Sequence, residues 1–489
     1  LKPMTEMLDN GYRLVSALFL RLLGAIYLIA FASVGVQVEG LIGSQGIHPV
    51  AERLTRLAQH SDMERYFQVP TLFWLNASDL ALNGAAVLGC VAAVMIMLNI
   101  LTRPALVTAF VLYLSLFHAS QPFLNFQWDT LLLETGFLAL FLTPNSRVII
   151  WLFRWLLFRV RFMSGLSKFS SGDPAWSGLT ALDTYFEVQP LPNPVAWYVH
   201  QLPDWLLRTG TAGTLFVELI VPFMMFLPRR WRFVAAWLTI LWQLLIIITS
   251  NHNWINFLTI ILCLFLFDDQ ALRRVMPQWL QQRLDWQAPV IDNPIKKMAT
   301  GILAVFIFSV GSLKLYELAT NETFDGRLGT MMRYTTVYSI VQKYHVFPTM
   351  TTRRIELEVL GSHDGQEWKA YRFKYKPDRI EERPTFVMPH QPRVDWQMWF
   401  VTLNPRHMPW FVYCLEALLD GSPSVNALLE HNPFPDEPPR FLRVDAYDYH
   451  FTDFEEREQT GNWWKRTAIG PFTPLPWMER RNGDTAAGF

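Results

Sequence analysis

The sequence predicts a polytopic α-helical membrane protein with about nine transmembrane helices and a C-terminal β-rich α+β domain outside the membrane. Apolar runs of about 17–25 residues, the length that crosses a bilayer, recur between residues 12 and 318 of the 489-residue chain. Charged residues make up 17% of the chain, against about 25% in soluble proteins, and the shortfall lies in that same region. Residues 340–480 return to the patterning of a soluble domain. A helical membrane unit is therefore expected at 1–318 and an extramembrane unit at 319–489.

The first run, 12–38, has no small-residue cleavage site behind it and reads as a retained span, not a signal peptide. Further runs follow near 77–100, 104–120, 126–143, 148–166, 209–227, 232–250, 252–268 and 297–317. Under this alternation Arg103, Arg147, the Arg229-Arg230-Trp231-Arg232 cluster and Arg273-Arg274 share one side. Basic residues on the other side, such as Arg53 and Arg56, are offset by acids. The positive-inside bias makes the N-terminus cytoplasmic. It places the 167–208 loop and the C-terminal domain on the extracytoplasmic side. The chain ends without a Lys-Asp-Glu-Leu type of signal, which favours a bacterial cytoplasmic (inner) membrane, with the ER membrane as the eukaryotic counterpart.

In the tail, Ile355, Leu357 and Val359 alternate with acids, and Tyr371, Phe373 and Tyr375 alternate with bases. Both are half-buried strand patterns, separated by the turn residues His363-Asp364-Gly365. A further strand is expected at Tyr447, Tyr449 and Phe451, and a helix over 410–429 with Leu415, Leu418 and Leu419 on one face. Trp396, Trp399, Trp463 and Trp464 could form an exposed client-binding face or an anchor at the lipid interface. The competing reading puts them in the core.

The run 126–143 carries Asp129 and Glu134, and its neighbour carries Arg154, Arg159 and Arg161, with Lys168 at its end. Such charges are costly in hydrocarbon unless they face inward and pair. Helix rise puts Glu134 roughly 9 Å below the outer surface, Arg161 about 9 Å, Arg159 about 12 Å and Glu218 about 13 Å deep. Arg21 falls near the midplane, and Asp129 at the outer edge where water reaches it. Gln243, His252, Asn253 and Asn256 add polar groups on the same side. This layer is either an ion-pair network that fixes helix register or a polar cavity open to the outside. A proton or ion path is a third reading. Lys168 is the residue with plausible chemistry of its own, because a lysine beside an apolar cavity can act as a base. The plainer reading is an interfacial lysine reaching up to water.

Zero net charge gives no electrostatic case for a nucleic-acid partner. Three cysteines, two of them in apolar spans and none in a CxxC, argue against a disulfide framework, a zinc site or a dithiol redox centre. No metal site is expected. The sequons at Asn76 and Asn321 are close to chance in a chain this long.

Several long strings resemble the lipase maturation factor family. They are Phe126-Gln-Trp-Asp-Thr-Leu-Leu-Leu-Glu-Thr-Gly-Phe, Met163-Ser-Gly-Leu-Ser-Lys-Phe-Ser-Ser-Gly-Asp-Pro-Ala-Trp, Leu179-Thr-Ala-Leu-Asp-Thr-Tyr-Phe-Glu-Val-Gln-Pro-Leu-Pro, Met388-Pro-His-Gln-Pro-Arg-Val-Asp-Trp-Gln-Met-Trp-Phe and Gly461-Asn-Trp-Trp-Lys-Arg. The resemblance covers nearly the whole chain. It implies a multi-pass membrane protein that helps secreted lipases, or other client proteins, reach an active and assembled state. A more distant likeness runs to the transmembrane domain of vitamin K-dependent γ-carboxylases. There a segment similar to Arg161-Phe-Met-Ser-Gly-Leu-Ser-Lys-Phe supplies the lysine that deprotonates a hydroquinone. Lys168 is the matching position, while Ser167 stands where a second lysine would be.

Two functions follow as expectations. As a maturation factor, the chain would engage a client through the 167–208 loop and the tail, and deleting 330–489 would abolish rescue but leave the membrane part inserted. As an enzyme, it would use Lys168 as base on a quinone-like or lipid substrate positioned by the Arg/Glu layer. No cofactor is established from sequence; a bound lipid or quinone is the candidate, and the lipid bilayer is the expected partner. Transport is disfavoured, since no repeat or Gly/Pro-broken helix pair is visible.

Overall fold

The computed structural model describes residues 11–60, 63–143, 146–284, 294–473 and 475–480. Among these residues six helices are long and apolar enough to cross a bilayer: Arg13–Gly35, Asp79–Leu98, Thr102–Ala119, Asp204–Met224, Arg229–Thr249 and Pro294–Thr320. A seventh crossing results if Ile255–Leu266 and Asp269–Val275, bent by 113°, count as one span. The expected count of nine is thus not reached among the described residues, and two runs account for the difference. The run at 126–143 is helical over Gln127–Ala139, 13 residues. That is about 20 Å, short of a hydrocarbon core of about 30 Å. The run at 148–166 lies in a long helix, Arg147–Ser170, that is buried along most of its length and carries Arg154, Arg159 and Arg161 inward. It is a central strut between other helices.

Helix ends follow capping chemistry. Ser78 accepts from the Ala81 N–H at the start of Asp79–Leu98, and Asn99 closes that helix in the left-handed region at φ 61°. The Asp269 carboxylate accepts from the backbone N–H groups of Arg13 and Val15 at 2.8 and 3.0 Å, satisfying the open end of the first helix. Beside it, Asp268 takes Nε and Nη2 of Arg229 at 2.6 and 2.9 Å. Close approach needs one glycine in particular: a Cβ at Gly136 would fall 1.9 Å from the Tyr27 hydroxyl.

The tail carries an antiparallel sheet of β1 (Arg354–Ser362), β2 (Lys369–Ala370), β3 (Phe441–Phe451), β4 (Trp464–Pro471) and β5 (Trp477–Glu479). The order is β2-β1-β3-β4, with β5 also on β3, and Leu357 sits opposite Ala446. The strand expected through Tyr371, Phe373 and Tyr375 does not form, and β2 ends just before it at Ala370. The Phe373 N–H goes to the Asp378 carboxylate and the Tyr375 N–H to that of Asp395, at 3.0 and 2.7 Å. Those N–H groups are therefore unavailable to a ladder. The helix expected at 410–429 runs over Met408–Leu419 and buries Leu415, Leu418 and Leu419.

The tryptophans correct the idea of an exposed client face. Trp396, Trp463 and Trp464 are buried, and Trp399 is half-buried with its Nε1 donating to the Val188 carbonyl at 2.8 Å. Trp463 and Trp464 pack with Trp197, Tyr449 and Phe451. Indole rings bury too much apolar surface to be left in water when a groove is at hand.

The sheet does not hang free of the bundle. Gln37 in the first helical region donates to the Gln391 carbonyl at 2.8 Å and accepts from the Arg393 N–H at 2.9 Å. Arg354 in β1 is fully buried and donates to the carbonyls of Glu187, Gln189 and Pro190 in the 167–208 loop. Asn251 ties that loop to residues 385–387 through Leu191, Thr385 and Val387.

Candidate functional site

The two acids of the short inner helix Gln127–Ala139 have different partners. Glu134 is fully buried and ion-paired with Arg159. Its second oxygen accepts from the Gln342 N–H at 3.0 Å and the Tyr344 hydroxyl at 2.7 Å. Asp129 corrects its expected position at the wet outer edge: it is 0% exposed. Both of its oxygens bind the Arg393 guanidinium, at 2.7 and 2.8 Å, and Oδ1 also accepts from the Tyr113 hydroxyl at 2.6 Å. The partner of an acid in the bundle thus comes from the tail, in the Gln391-Pro-Arg393-Val-Asp395-Trp string.

The single expected layer of charge is split in two. Residues two apart on a helix point about 200° apart, so Arg159 and Arg161 face opposite ways. Arg159 turns to Glu134, and Arg161 turns to Glu218 at 3.2 Å. Lys168 joins the second group, 2.9 Å from Glu218. Arg21 belongs to neither. It lies on the face of the first helix that packs against Asp79–Leu98, and its Nη1 reaches the Ile96 carbonyl at 3.4 Å. The burial pattern along a span fixes which face turns inward, and depth alone does not.

Lys168 is buried; its ammonium donates to the Val346 carbonyl at 2.7 Å and the Ser164 carbonyl at 3.3 Å and lies within ion-pair distance of Glu218. The ring of Trp176 lies 5.0 Å away. A second buried lysine, Lys314, which the sequence reading passed over, donates to Thr336 Oγ1 at 2.6 Å and to the Val341 carbonyl. Its only local signal is a cation inside the apolar stretch 298–316.

Between these groups lies a cavity of 660 Å³. Arg161, Ser164, Lys168 and Glu218 form part of its wall, with Gln243 from Arg229–Thr249 and His252 and Asn256 from the start of the bent segment. Trp176, Tyr185 and Phe186 of the 167–208 loop, residues 345–349 and Trp396, Trp399 and Phe400 complete it. Tyr185 holds His252, hydroxyl to Nε2, at 2.5 Å. Asn253 faces away from the cavity and donates to Gln391 Oε1 at 2.8 Å. Residues 342–350 act as a strap over the bundle. The strap's His345 N–H donates to Gln127 Oε1 at 2.9 Å, and the Met350 N–H donates to Asp173 Oδ2 at 2.6 Å. Among the described residues, no group of three or more His, Cys, Asp or Glu is placed to hold a metal ion.

Fold and site define a multi-pass helical membrane protein whose extramembrane domain completes the buried charge pairs of the bundle and roofs a cavity in it. Comparison with known proteins supplies the family. The family model for the lipase maturation factor transmembrane domain matches residues 14–274, and that for the lipase maturation factor C-terminal domain matches 340–474. The chain belongs to the lipase maturation factor family. It is 32% identical to lipase maturation factor 2 of Xenopus laevis over 587 aligned residues, covering 96% of this chain and 83% of that protein. Lipase maturation factor 2 of Rattus norvegicus is 33% identical over 588 residues, with 94% and 83% covered. Lipase maturation factor 1 of Bos taurus is 32% identical over 506 residues, with 94% and 88% covered. No solved structure matches the chain. These matches lend no support to the carboxylase likeness.

Proposed function

We propose that this chain is a membrane-embedded maturation factor that assists the folding or assembly of secreted lipases. The supporting observation is that relatives named lipase maturation factors align with it across the membrane region and the tail together. The client surface is assigned to the extramembrane side, over the 167–208 loop and the outer face of the sheet. The tryptophans 463 and 464 support that surface from beneath. The N-terminus is cytoplasmic and the tail extracytoplasmic, on the strength of the clustered arginines at 229–232 and 273–274. The membrane is the bacterial cytoplasmic membrane, or the ER membrane in a eukaryotic host.

The test is complementation. Cells lacking their own maturation factor and expressing a secreted lipase receive the full chain. Secreted lipase activity per unit lipase mass should rise. If the chain reaches the membrane at normal abundance and that ratio stays flat with a panel of lipases, the reading is wrong. Orientation has its own readout: a cysteine at the exposed position Glu455 should react with an impermeant maleimide from outside intact cells or spheroplasts.

A further inference from the structure

The cavity has a chemistry that client handling does not use. Arg161, Lys168 and Glu218 are the charged side chains of its lining, and they sum to one positive charge. All three are buried, at 6%, 3% and 5% exposure. The other titratable side chains of the lining are Tyr185, His252, His345 and His407, and neither a phenol nor an imidazole supplies a negative charge at ordinary pH. A surplus cation away from water is costly without a counter-charge.

Donors are in surplus as well. Arg161 Nε, Gln243 Nε2 and Asn256 Nδ2 have no hydrogen-bond partner in the protein; on the acceptor side of the same charge cluster Glu218 Oε2 has none either, though it lies 2.9 Å from the Lys168 ammonium as an ion pair. The three donors come from three different helices and belong to the lining of one cavity. A buried donor left bare is costly, and three of them beside a surplus cation outnumber the one bare carboxylate oxygen, which points to an acceptor-rich group that the protein itself does not provide.

The remaining wall is apolar and aromatic, with Trp176, Trp242, Ile246 and Phe347 among its members. Leu245 belongs to that wall and is also 53% exposed, on the same helix as the exposed Leu241 and Ile248. On a membrane span such a face meets lipid, so the cavity wall continues into the bilayer at Leu245. The volume of 660 Å³ lies within the range of about 300–1,000 Å³ typical of small-molecule sites. It suits one extended chain and not the paired chains of a bilayer phospholipid.

We propose that this cavity binds a single-chain anionic amphiphile, with a carboxylate or phosphate head against Arg161, Gln243 and Asn256 and its chain along the aromatic wall toward Leu245. A quinone would leave the positive charge unmatched, which disfavours the neutral ring among the lipid-like ligands. The inference stands apart from the client reading, since it rests on the cavity alone.

Equilibrium binding to the full chain in phosphatidylcholine nanodiscs tests it. The probes are tritiated palmitate, lysophosphatidate and the neutral hexadecanol. Saturable binding of palmitate or lysophosphatidate, at least tenfold tighter than hexadecanol, is the expected result, and the tighter of the two identifies the head. Gln243→Leu and Asn256→Leu each delete a bare donor and leave every ion pair intact, so the unfolding temperature should hold or rise. The affinity for the anionic probe should nevertheless fall about tenfold, with hexadecanol unchanged. Equal binding of all three probes, no saturable binding of either anion, or variants with undiminished affinity for the anion would each overturn the proposal.

Discussion

At the scale of single residues, the pair Asp129–Arg393 ties the bundle to the tail. Both side chains are fully buried and joined by two hydrogen bonds. Removing one partner leaves an uncompensated charge, at a cost of about 3–5 kcal/mol. Arg393→Met should therefore lower the unfolding temperature sharply, and Asp129→Asn combined with Arg393→Met should recover much of the loss. A double-mutant cycle in detergent measures this. Additive losses would show that the two side chains do not act as a pair. The sequence made the need of Glu134 for a nearby arginine legible, because Arg159 lies one helix away and depth could be counted. It could not do so for Asp129, whose partner is 264 residues distant and lies in a segment that reads as soluble. Periodicity reports which face of an element is apolar; it carries no record of which remote element will cover that face.

At the scale of elements, the helix Arg393–Val401 shows how one carboxylate can shape its neighbours. Asp395 lies in its first turn, where acids are favoured, and it accepts from the N–H groups of Tyr375 and Lys376 at 2.7 and 3.1 Å. Those bonds, together with that from the Phe373 N–H to Asp378, divert residues 373–376 from β1, so the alternation of Tyr371, Phe373 and Tyr375 does not become a strand. Burial pushes the Asp395 carboxyl up from 3.8 to about 6, against the opposing pull of those hydrogen bonds and of Lys376. A raised folded value means that its contribution to stability is present below pH 3.8 and is lost as pH rises through about 6. Asp395→Asn keeps an acceptor and removes the titration. The variant should exceed the parent by up to about 3 kcal/mol near pH 7, with the gap closing by pH 4. Unfolding midpoints across that range decide it, and a gap independent of pH would refute the assignment. The helices were legible as runs, but their membrane status was not. Arg147–Ser170 is long enough to cross, yet its arginines turn it into an internal strut.

At the scale of the whole molecule, bundle and tail form one structure. Besides Arg393, the region after 329 supplies Gln342 and Tyr344 to Glu134, the Val346 carbonyl to Lys168, and Thr336 and Val341 to Lys314. A chain ended at 329 would bare parts of all these groups in the interior. We expect it to accumulate poorly and to elute as aggregate, in contrast to the sequence-based expectation of an intact inserted bundle. A truncated chain with normal membrane yield and a monodisperse profile would show that these contacts are dispensable. Loss of lipase rescue on truncation therefore says little about a client surface, and substitutions on the outer face of the sheet are the cleaner probe.

The reach of Arg393 into the bundle also imposes an order in time. Asp129 leaves the ribosome 264 residues ahead of its counter-charge. At about 5–20 residues per second, that is a wait of roughly 13–53 s. Throughout it the newborn helix holds an acid that its own membrane neighbours do not neutralise. The helices cannot settle into their final packing until the segment bearing Arg393 has been made and folded back onto the bundle. A factor that helps other proteins mature has, in its own birth, a late step of the same kind.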